Sequence, residues 1–375
     1  MKQLHFFFFV ALCSILSFSA CKPEKTPQPE PIPTDTLPKD TLPADTLPVI
    51  LPKYSKGYFV VCEGTFNNNN AEISFIDSTG KVTTTTFKTE NKRVLGDVAQ
   101  SLTIIDSLAF IVVNNSQKIE VVNAGTFKSK KTLNDDRFTF PRYIQKLNDN
   151  QILLTNGTGY GDDALFVINS KTFAIEKEIP TGTGPNQMIL HNNKIFVANA
   201  GGWDSDNSVT VINATTLAVE KTITVGDMPM SMTLDKDGNI IILCKGLSTY
   251  DPVTWAETVV SNSKIVKLNT STLSAQDVYK YDRQIKNFSS NLIGYANNML
   301  YVLDDEGVYT FGANYTTPQK IVTGGFYGIS IIGNDMWLCN NNLTNPHVVQ
   351  YSLDGTKITE YKTAPFPNAV VKSKM

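Results

Sequence analysis

The sequence predicts an all-β fold, a seven-bladed β-propeller with four-stranded blades that is closed by a C-terminal strand joining the N-terminal blade. One turn containing Asn or Asp recurs along the chain, at Asp77, Asn123, Asn169, Asn213, Asn269 and Asp354. These side chains can bond the backbone two residues on, which suits a tight turn. The spacing is mostly about 46 residues, which leaves room for one degraded copy near Phe311. A period of this length with four short strands per copy is typical of propeller blades.

Each copy holds four short apolar runs, termed strands a to d. In the clearest copy they are NQMILH, KIFVAN, SVTVIN and LAVEKTITV. Strands b and c are rich in Val, Ile and Phe, and strand c alternates as strands do. The predicted propeller begins with KGYFVVC, which fits strand b, and ends with FPNAVVKSKM, which fits strand a. The last strand is therefore expected to be the innermost strand of the first blade, which removes open sheet edges.

The N-terminal part of the chain predicts export. Residues 1–20 are interpreted as a lipoprotein signal peptide, because Lys2 precedes an apolar run that is too short to cross a bilayer. The segment SFSAC resembles a bacterial lipobox and makes Cys21 the predicted lipidation site, while an ordinary secreted protein with an incidental Cys21 is the alternative. Residues 21–55 are interpreted as a lipid-anchored stalk, because their many prolines keep the chain extended. Residues 56–375 form the predicted propeller.

The two faces of the predicted propeller differ in loop length. Alternating strand directions place the a–b and c–d turns on one face and the b–c and d–a loops on the other. The b–c loops are longer than the a–b turns, and long loops on a rigid scaffold carry function more often. Aromatic and apolar side chains on the long-loop face would suit a large planar ligand, although rings that pack loops against each other are the alternative. The candidate ligand-binding residues of this kind are Phe66, Phe138, Tyr160, Trp203, Met228, Tyr250, Trp255, Phe326, Tyr327 and Phe366.

Charged residues add four candidates to the same face. The predicted propeller has only four arginines, Arg93, Arg137, Arg142 and Arg283, and all four fall in d–a segments. The planar fork of arginine suits carboxylate, phosphate or amide oxygens, and the alternative is that each arginine pairs with a nearby aspartate to brace adjacent blades. A net charge of −2 gives no electrostatic case for nucleic acid.

The supply of residues for catalysis or metal binding is thin. Only His191 and His347 remain in the predicted propeller, and no HxxxH, CxxC or serine-elbow motif occurs. We therefore expect no enzymatic activity, no cofactor and no metal site of the histidine type. The segment DSDN, which begins at Asp204, leaves a calcium site open as an alternative to a solvated turn. The cysteines Cys62, Cys244 and Cys339 are interpreted as small core residues.

Several phrases carry a family resemblance. The repeat VINATTLAVEKTITVG resembles the YncE-like propeller family, and LGDVAQS, VVNNSQKIEVV and PRY, with the lipobox and the stalk, look like outer-membrane lipoproteins of the BtuG type. The resemblance implies a seven-bladed propeller at the cell surface that captures cobalamin and passes it to a TonB-dependent transporter. It also implies that Arg142, in PRY, and Asn115 lie near the ligand.

The favoured interpretation is a lipid-anchored binding module of the outer membrane, facing the cell surface, for a large nutrient ligand. A corrinoid such as cobalamin is the favoured ligand, a TonB-dependent receptor the expected partner, and the lipid the only expected contact with the membrane. An anionic ferric siderophore is the alternative that the four arginines would favour. A structural or adhesive surface-layer propeller without a small-molecule ligand is the other, and the loop asymmetry argues against it.

Overall fold

Seven four-stranded antiparallel sheets make up most of residues 52–374, the part of the chain that the computed structural model describes. The predicted signal peptide, the lipidation site Cys21 and most of the predicted stalk lie outside the described residues. The predicted fold class is confirmed: each sheet is one blade, and the innermost strand of each blade contacts the innermost strand of the next around the whole ring. Within residues 52–374, no helix has both the length and the apolar character that crossing a bilayer requires.

The first three blades follow the order predicted from the repeat. Blade 1 contains β1 (Gly57–Cys62), β2 (Glu72–Asp77), β3 (Val82–Thr83) and the C-terminal β30 (Pro367–Lys372), and β3 is followed by helix α1 (Thr86–Asn91). Blade 2 contains β4 (Ala99–Ile105), β5 (Leu108–Val113), β6 (Lys118–Asn123) and β7 (Ser129–Asn134). Blade 3 contains β8 (Pro141–Lys146), β9 (Gln151–Asn156), β10 (Ala164–Asn169) and β11 (Ile175–Pro180).

The other four blades continue in the same sense, and blade 5 carries an extra hairpin. Blade 4 contains β12 (Pro185–His191), β13 (Lys194–Asn199), β14 (Ser208–Asn213) and β15 (Val219–Thr224). Blade 5 contains β16 (Pro229–Leu234), β17 (Ile240–Cys244), β20 (Lys264–Asn269) and β21 (Ser274–Lys280), with the hairpin β18 (Leu247–Tyr250) and β19 (Glu257–Ser261) inserted after β17. Blade 6 contains β22 (Ile293–Ala296), β23 (Met299–Asp304), β24 (Gly307–Phe311) and β25 (Gln319–Thr323). Blade 7 contains β26 (Gly328–Ile332), β27 (Asp335–Asn340), β28 (His347–Ser352) and β29 (Lys357–Lys362), and the chain then returns to blade 1 as β30 (Pro367–Lys372).

The recurring turn joins the third and fourth strands of a blade. In blade 2, the Asn123 side-chain oxygen accepts hydrogen bonds from the backbone N–H groups of Gly125 and Thr126, at 3.1 and 2.9 Å. Phe127 then adopts a left-handed conformation (φ 56°), and its N–H donates to the carbonyl of Asn123 at 2.7 Å. The same pattern recurs after Asn169, Asn213 and Asn269. In blades 2 to 5, a short side chain that mimics a backbone turn thus ends the third strand and reverses the chain.

The core lies between the blades. The second strands are almost fully buried, as in β5 and β13, because their two faces pack against the two neighbouring blades. Between blades 1 and 2 the ring of Phe59 stacks on Phe127 at 5.0 Å, and Tyr54 meets Phe75 edge-on, also at 5.0 Å. Each such fully buried ring stabilises the fold by about 1.5–3 kcal/mol relative to an exposed one. The outermost strands, such as β15, are mostly exposed, so the stabilising packing is concentrated in the inner strands.

Blade 1 departs from the repeat at its outer edge. Its fourth strand, β3, has only two residues and leads into α1, which the sequence analysis did not anticipate. The buried carboxylate of Glu72 accepts the backbone N–H groups of Phe87 and Lys88 at the start of this helix, at 2.8 and 3.0 Å. Phe87 is itself fully buried against the core between blades 1 and 2. A carboxylate and a single aromatic anchor therefore replace the missing length of strand.

Candidate functional site

A cavity opens at the centre of the long-loop face. It consists of two chambers, and both are lined by residues of the b–c loops, the d–a loops and the starts of the innermost strands. The first chamber, with a volume of about 430 Å³, is lined by Glu63, Phe66, Val98, Gln100, Asn114, Ser290, Tyr327 and Phe366, among others. The second chamber, with a volume of about 610 Å³, is lined by Asn186, Asp204, Met228, Met230, Lys245 and Tyr250, among others. Both are within the size range of small-molecule sites.

Four side chains belong to both chambers and make them one site: Phe140, Arg142, Trp203 and Phe288. Trp203 lies in the b–c loop of blade 4, where its backbone N–H donates to the carbonyl of Thr158 at 2.8 Å. Its ring packs on Phe140 at 5.4 Å, yet 61% of the residue stays exposed. Phe288, in the connection from blade 5 to blade 6, is 83% exposed. These two rings therefore offer uncovered aromatic surface to the middle of the cavity.

About half of the residues predicted from the sequence meet at this cavity. Those that line the two chambers are Phe66, Arg142, Trp203, Met228, Tyr250, Tyr327 and Phe366. Phe326 lines a neighbouring shallow recess of about 360 Å³, which also includes Phe288 and Tyr327. Met228 and Phe366 each precede an innermost strand in a left-handed conformation (φ 55° for both). Their carbonyls accept the N–H groups of Lys245 and Glu63, which pins this position at the mouth of the blade.

Three of the four arginines are engaged elsewhere by carboxylates, as in the bracing alternative. Arg93 makes a bidentate pair with the buried Glu120, with both contacts at 2.7 Å. The guanidinium of Arg137 binds Asp135 at 2.7 Å, and that of Arg283 binds Asp304 at 2.7 Å. The structure therefore does not bring these guanidinium groups into the cavity. Arg142 alone among the four lines it.

Four other predicted residues also lie outside the lining of the chambers. Phe138 is buried in the core between blades 2 and 3, where its ring packs on Phe166 at 5.8 Å. The Asn115 amide donates to Asp97 at 2.7 Å, and this contact holds the b–c loop of blade 2 in place. Tyr160 and Trp255 are 75% and 76% exposed, and neither side chain lines a chamber, although Gly157 in the loop of Tyr160 and Tyr250 in the hairpin of Trp255 line the second one.

Several residues that line the cavity were not predicted from the sequence: Glu63, Asn186, Lys245, Phe288 and Ser290. Two of them carried a signal. Glu63 and Lys245 occupy the same position in two blades, between the end of the second strand and a glycine, in the phrases VVCEG and ILCKG. A charged residue that directly follows a buried strand on the long-loop face is a candidate for the site. Phe288 lies within the irregular segment between β21 and β22, where the repeat is too weak to assign a loop.

A polar network forms the floor beneath the aromatic rings. The Arg142 guanidinium donates from Nε to the Asn186 side-chain oxygen at 3.3 Å and from Nη2 to the Ser290 hydroxyl at 3.1 Å. The amide of Asn186 also donates to Ser290 at 3.0 Å. These three residues come from blade 3, blade 4 and the connection to blade 6, so the network spans the axis of the ring. The guanidinium additionally lies over the Phe140 ring at 5.1 Å, a cation–π contact.

The electrostatics of the cavity are set by partial burial. Burial raises the pKa of Glu63 to about 7, although the Tyr327 hydroxyl, which donates to its carboxylate at 3.0 Å, and the charge of Arg142 both lower it. Burial lowers the pKa of Lys245 to about 8. Burial also lowers the pKa of Arg142. Throughout the described part of the chain, no carboxylate lies within ion-pair distance of Arg142 or Lys245, in contrast to the other three arginines.

The raised pKa of Glu63 predicts a stability difference that depends on pH. Because the pKa rises from 4.5 to about 7 on folding, ionisation of Glu63 opposes folding, and the penalty grows as the pH rises through that interval. Glu63→Gln is therefore expected to raise the midpoint of thermal unfolding by a few degrees at pH 8 and to leave it nearly unchanged at pH 5. Glu178→Gln, at an exposed carboxylate outside the cavity, serves as the control. Equal midpoints for Glu63→Gln and the wild type at pH 8 would contradict the assignment.

The structure also locates the other reactive residues that the sequence analysis considered. Cys62, Cys244 and Cys339 are free and fully buried, as expected for small core residues, and burial raises the pKa of the Cys62 thiol to about 12. Asp204 is exposed at the rim of the second chamber, while the Asp206 carboxylate accepts the backbone N–H of Thr183 at 2.8 Å. Among residues 52–374 there is no group of three or more His, Cys, Asp or Glu side chains placed to hold a metal ion.

Comparison with known proteins supports the fold and leaves the chemistry open. A family model described as a domain of unknown function (DUF5074) matches residues 56–328. The chain is similar to a quinoprotein alcohol dehydrogenase-like protein from Bacteroides thetaiotaomicron, with 15% identity and a TM-score of 0.59 over 85% of this chain and 79% of that one. It is similar to a putative 6-phosphogluconolactonase from Bacteroides fragilis, with 13% identity and a TM-score of 0.58 over 84% and 98% of the two chains.

A third similar structure is a functionally unknown protein from Desulfotomaculum acetoxidans, with 11% identity and a TM-score of 0.58 over 83% of this chain and all of that one. At such identities the similarity shows the propeller fold alone. No curated protein matches the sequence.

Proposed function

The chain belongs to the DUF5074 family, whose description carries no activity, and from its own cavity we propose that it is a binding module for a large nutrient molecule. The favoured ligand is a corrinoid such as cobalamin. In this proposal the protein is anchored to the outer membrane through Cys21, faces the cell surface, and delivers its ligand to a TonB-dependent receptor. The lipobox-like segment, the proline-rich segment and the BtuG-type phrases of the sequence support this location and partner.

The observation that carries the proposal is the uncovered aromatic lining of the central cavity. Phe66, Trp203, Tyr250 and Phe288 are each more than half exposed, although all four line the chambers. Aromatic rings supply a large contact area with little conformational entropy to lose. An exposed apolar lining with polar groups beneath it is typical of a ligand site. A structural or adhesive propeller would have no need of it.

The charge of the cavity favours a corrinoid over a strongly anionic siderophore. A corrinoid is large, neutral overall, partly flat and studded with amides, so it matches aromatic walls above a floor of amide, hydroxyl and guanidinium groups. The siderophore alternative depended on four convergent arginines, but Arg93, Arg137 and Arg283 are paired with carboxylates. The charged residues that remain in the lining are of both signs, Arg142 and Lys245 with Glu63 and Asp204.

The proposal also makes the protein a carrier rather than an enzyme. The lining of the two chambers, as far as the described residues form it, includes neither His nor Cys. Glu63, a lining carboxylate with a pKa near neutrality, is hydrogen-bonded to Tyr327, and no Ser or Lys of the described part of the chain lies within hydrogen-bond distance of it to act as a nucleophile. Binding without turnover is the simplest activity for such a lining.

Calorimetric titration of the purified protein with cyanocobalamin tests the proposal. We expect saturable binding of one ligand per chain, and Trp203→Ala and Phe288→Ala should each weaken it by at least about tenfold, because truncating an aromatic anchor costs about 2 kcal/mol. Trp255→Ala is the matched control, since that ring is also mostly exposed but lines neither chamber. Its affinity should equal that of the wild type.

Three outcomes would count against the proposal in different ways. A heat of binding with a ferric catecholate and none with cyanocobalamin would show that the ligand is a siderophore and not a corrinoid. No binding of either would favour the structural interpretation. Equal losses in Trp203→Ala and Trp255→Ala would move the site away from the cavity.

A further inference from the structure

We propose that Arg142 and Lys245 form an oxyanion subsite in the second chamber, and that the ligand places a phosphate or carboxylate group there. This inference rests on the proposed function, because it assigns one chemical group of the ligand to one part of the same cavity. Both cations line the second chamber, which also includes Asn186 and Met230 on its floor.

Arg142 has an unused hydrogen-bonding edge. Its Nε and Nη2 donate to the neutral oxygens of Asn186 and Ser290, which fix the plane of the guanidinium. Nη1 makes no hydrogen bond to any residue in the range 52–374. A positioned guanidinium with free donors is suited to bind an oxyanion, because the fork of N–H groups matches two oxygens of a carboxylate or phosphate.

Lys245 is a second cation with no ion-pair partner within residues 52–374. It follows β17 directly, and its backbone N–H is pinned to the carbonyl of Met228 at 3.0 Å. Its ammonium lies 5.0 Å from the centroid of Phe288 and has no acceptor within hydrogen-bond distance among the residues described. Other lysines on the same blade are paired, as Lys264 is with Asp277 at 2.8 Å. Partial burial of an unpaired ammonium is unfavourable, and an anionic ligand group would remove that penalty.

The charged groups around Lys245 do not neutralise it. The negative charge of Asp305 acts on Lys245 and raises its pKa. The Asp305 carboxylate, however, already accepts the backbone N–H groups of Lys286 and Asn287, at 2.8 and 3.0 Å. Lys286 adds a further positive charge. Asp204 is exposed at the rim of the chamber, and Glu63 belongs to the first chamber rather than the second. The partly buried charge of the second chamber is therefore positive.

Partial burial also tunes the subsite. The pKa of Lys245 is lowered to about 8, so the ammonium is mostly charged at pH 7 and mostly neutral at pH 9. Affinity for an oxyanion should consequently fall by about tenfold between these two pH values. Lys245→Met should remove this pH dependence of the affinity, because methionine keeps most of the length of the lysine side chain and has no charge.

A pair of corrinoids tests the inference directly. Cyanocobalamin carries a phosphodiester in its nucleotide arm, whereas dicyanocobinamide lacks both the nucleotide and that phosphodiester. Lys245→Met is expected to weaken cyanocobalamin by about 10- to 100-fold, and dicyanocobinamide by no more than about twofold. Lys236→Met is the matched control, because Lys236 is exposed, paired with Asp237 at 2.6 Å and outside both chambers. Equal losses for both corrinoids in Lys245→Met would overturn the inference.

Inorganic phosphate and acetate separate failure of this inference from failure of the proposed function. In ³¹P NMR, the signal of millimolar inorganic phosphate should broaden with the wild type and with Lys236→Met, and it should stay sharp with Lys245→Met. A broadened phosphate signal together with no heat of binding for cyanocobalamin would support the subsite and contradict a corrinoid as the ligand. Competition by acetate would show that carboxylates are accepted as well as phosphates. Sharp phosphate signals with the wild type would overturn the subsite even if cyanocobalamin binds.

Discussion

Deletion of residues 366–375 is expected to abolish the folded state altogether. Strand β30 pairs along its length with β1, and it is the innermost strand of blade 1. It buries Val370 in the core shared with blade 7. The side-chain oxygen of Asn368 accepts hydrogen bonds from Ser289 and Asn291, and its side-chain nitrogen donates to the backbone carbonyl of Gln100. Without it the ring opens between blades 7 and 2. We expect the free energy lost with a core strand and its ladder of hydrogen bonds to exceed the roughly 5–15 kcal/mol by which a folded domain is more stable than the unfolded chain.

Near-ultraviolet circular dichroism and size-exclusion chromatography would measure this loss. The control is deletion of residues 374–375, which keeps the bonds of Ser373 to the carbonyls of Ser55 and Gly57, at 2.8 and 3.0 Å. That shorter deletion should leave the unfolding midpoint unchanged. A synthetic peptide of residues 366–375 should restore the native spectrum of the longer deletion when added in excess. A native spectrum and a cooperative transition without the peptide would refute the structural role of the closing strand.

Arg93→Met is expected to lower the free energy of unfolding by about 3 kcal/mol at pH 7, because it leaves a buried carboxylate without its main partner. The Glu120 side chain is fully buried, and Arg93 supplies two of its contacts, both 2.7 Å long, with Lys118 and Thr132 supplying two more. Urea unfolding measures the difference. Arg137→Met is the matched control, since Arg137 and Asp135 are partly or well exposed, and such a pair contributes at most about 1 kcal/mol.

The same pair predicts the sign of an acid effect. Burial alone would raise the pKa of Glu120, but the hydrogen bonds from Arg93 and Lys118 outweigh it and hold the pKa below its usual value. A lowered carboxyl pKa stabilises the fold above the pKa of the unfolded chain, and this stabilisation is lost as the pH falls through the lowered value. The difference between the wild type and Arg93→Met should therefore shrink below pH 4. Equal destabilisation by Arg93→Met and Arg137→Met at pH 7 would show that burial of Glu120 is unimportant.

These arginines show where sequence reasoning about the site reached its limit. Their positions along the repeat placed all four in d–a segments, which is a local property of the chain. Whether a guanidinium is free depends on which carboxylate folds against it, and Glu120 lies 27 residues from Arg93 in sequence. Phe138 and Phe140 make the same point, because they are two residues apart. One ring packs on Phe166 in the core, while the other packs on Trp203 at the cavity.

The blade count, the strand order, the closure by the last strand and the face that carries the long loops could all be predicted from the sequence. Those features follow from the spacing of short-range turns such as the one at Asn123, and such turns are specified by the few residues that form them. Only the folded structure shows that Arg142 and Lys245 face the cavity with no carboxylate of residues 52–374 in ion-pair distance, and that Phe288 is one of its rings. A side chain's burial and its partners depend on packing between blades, where the contacting residues are far apart in the chain.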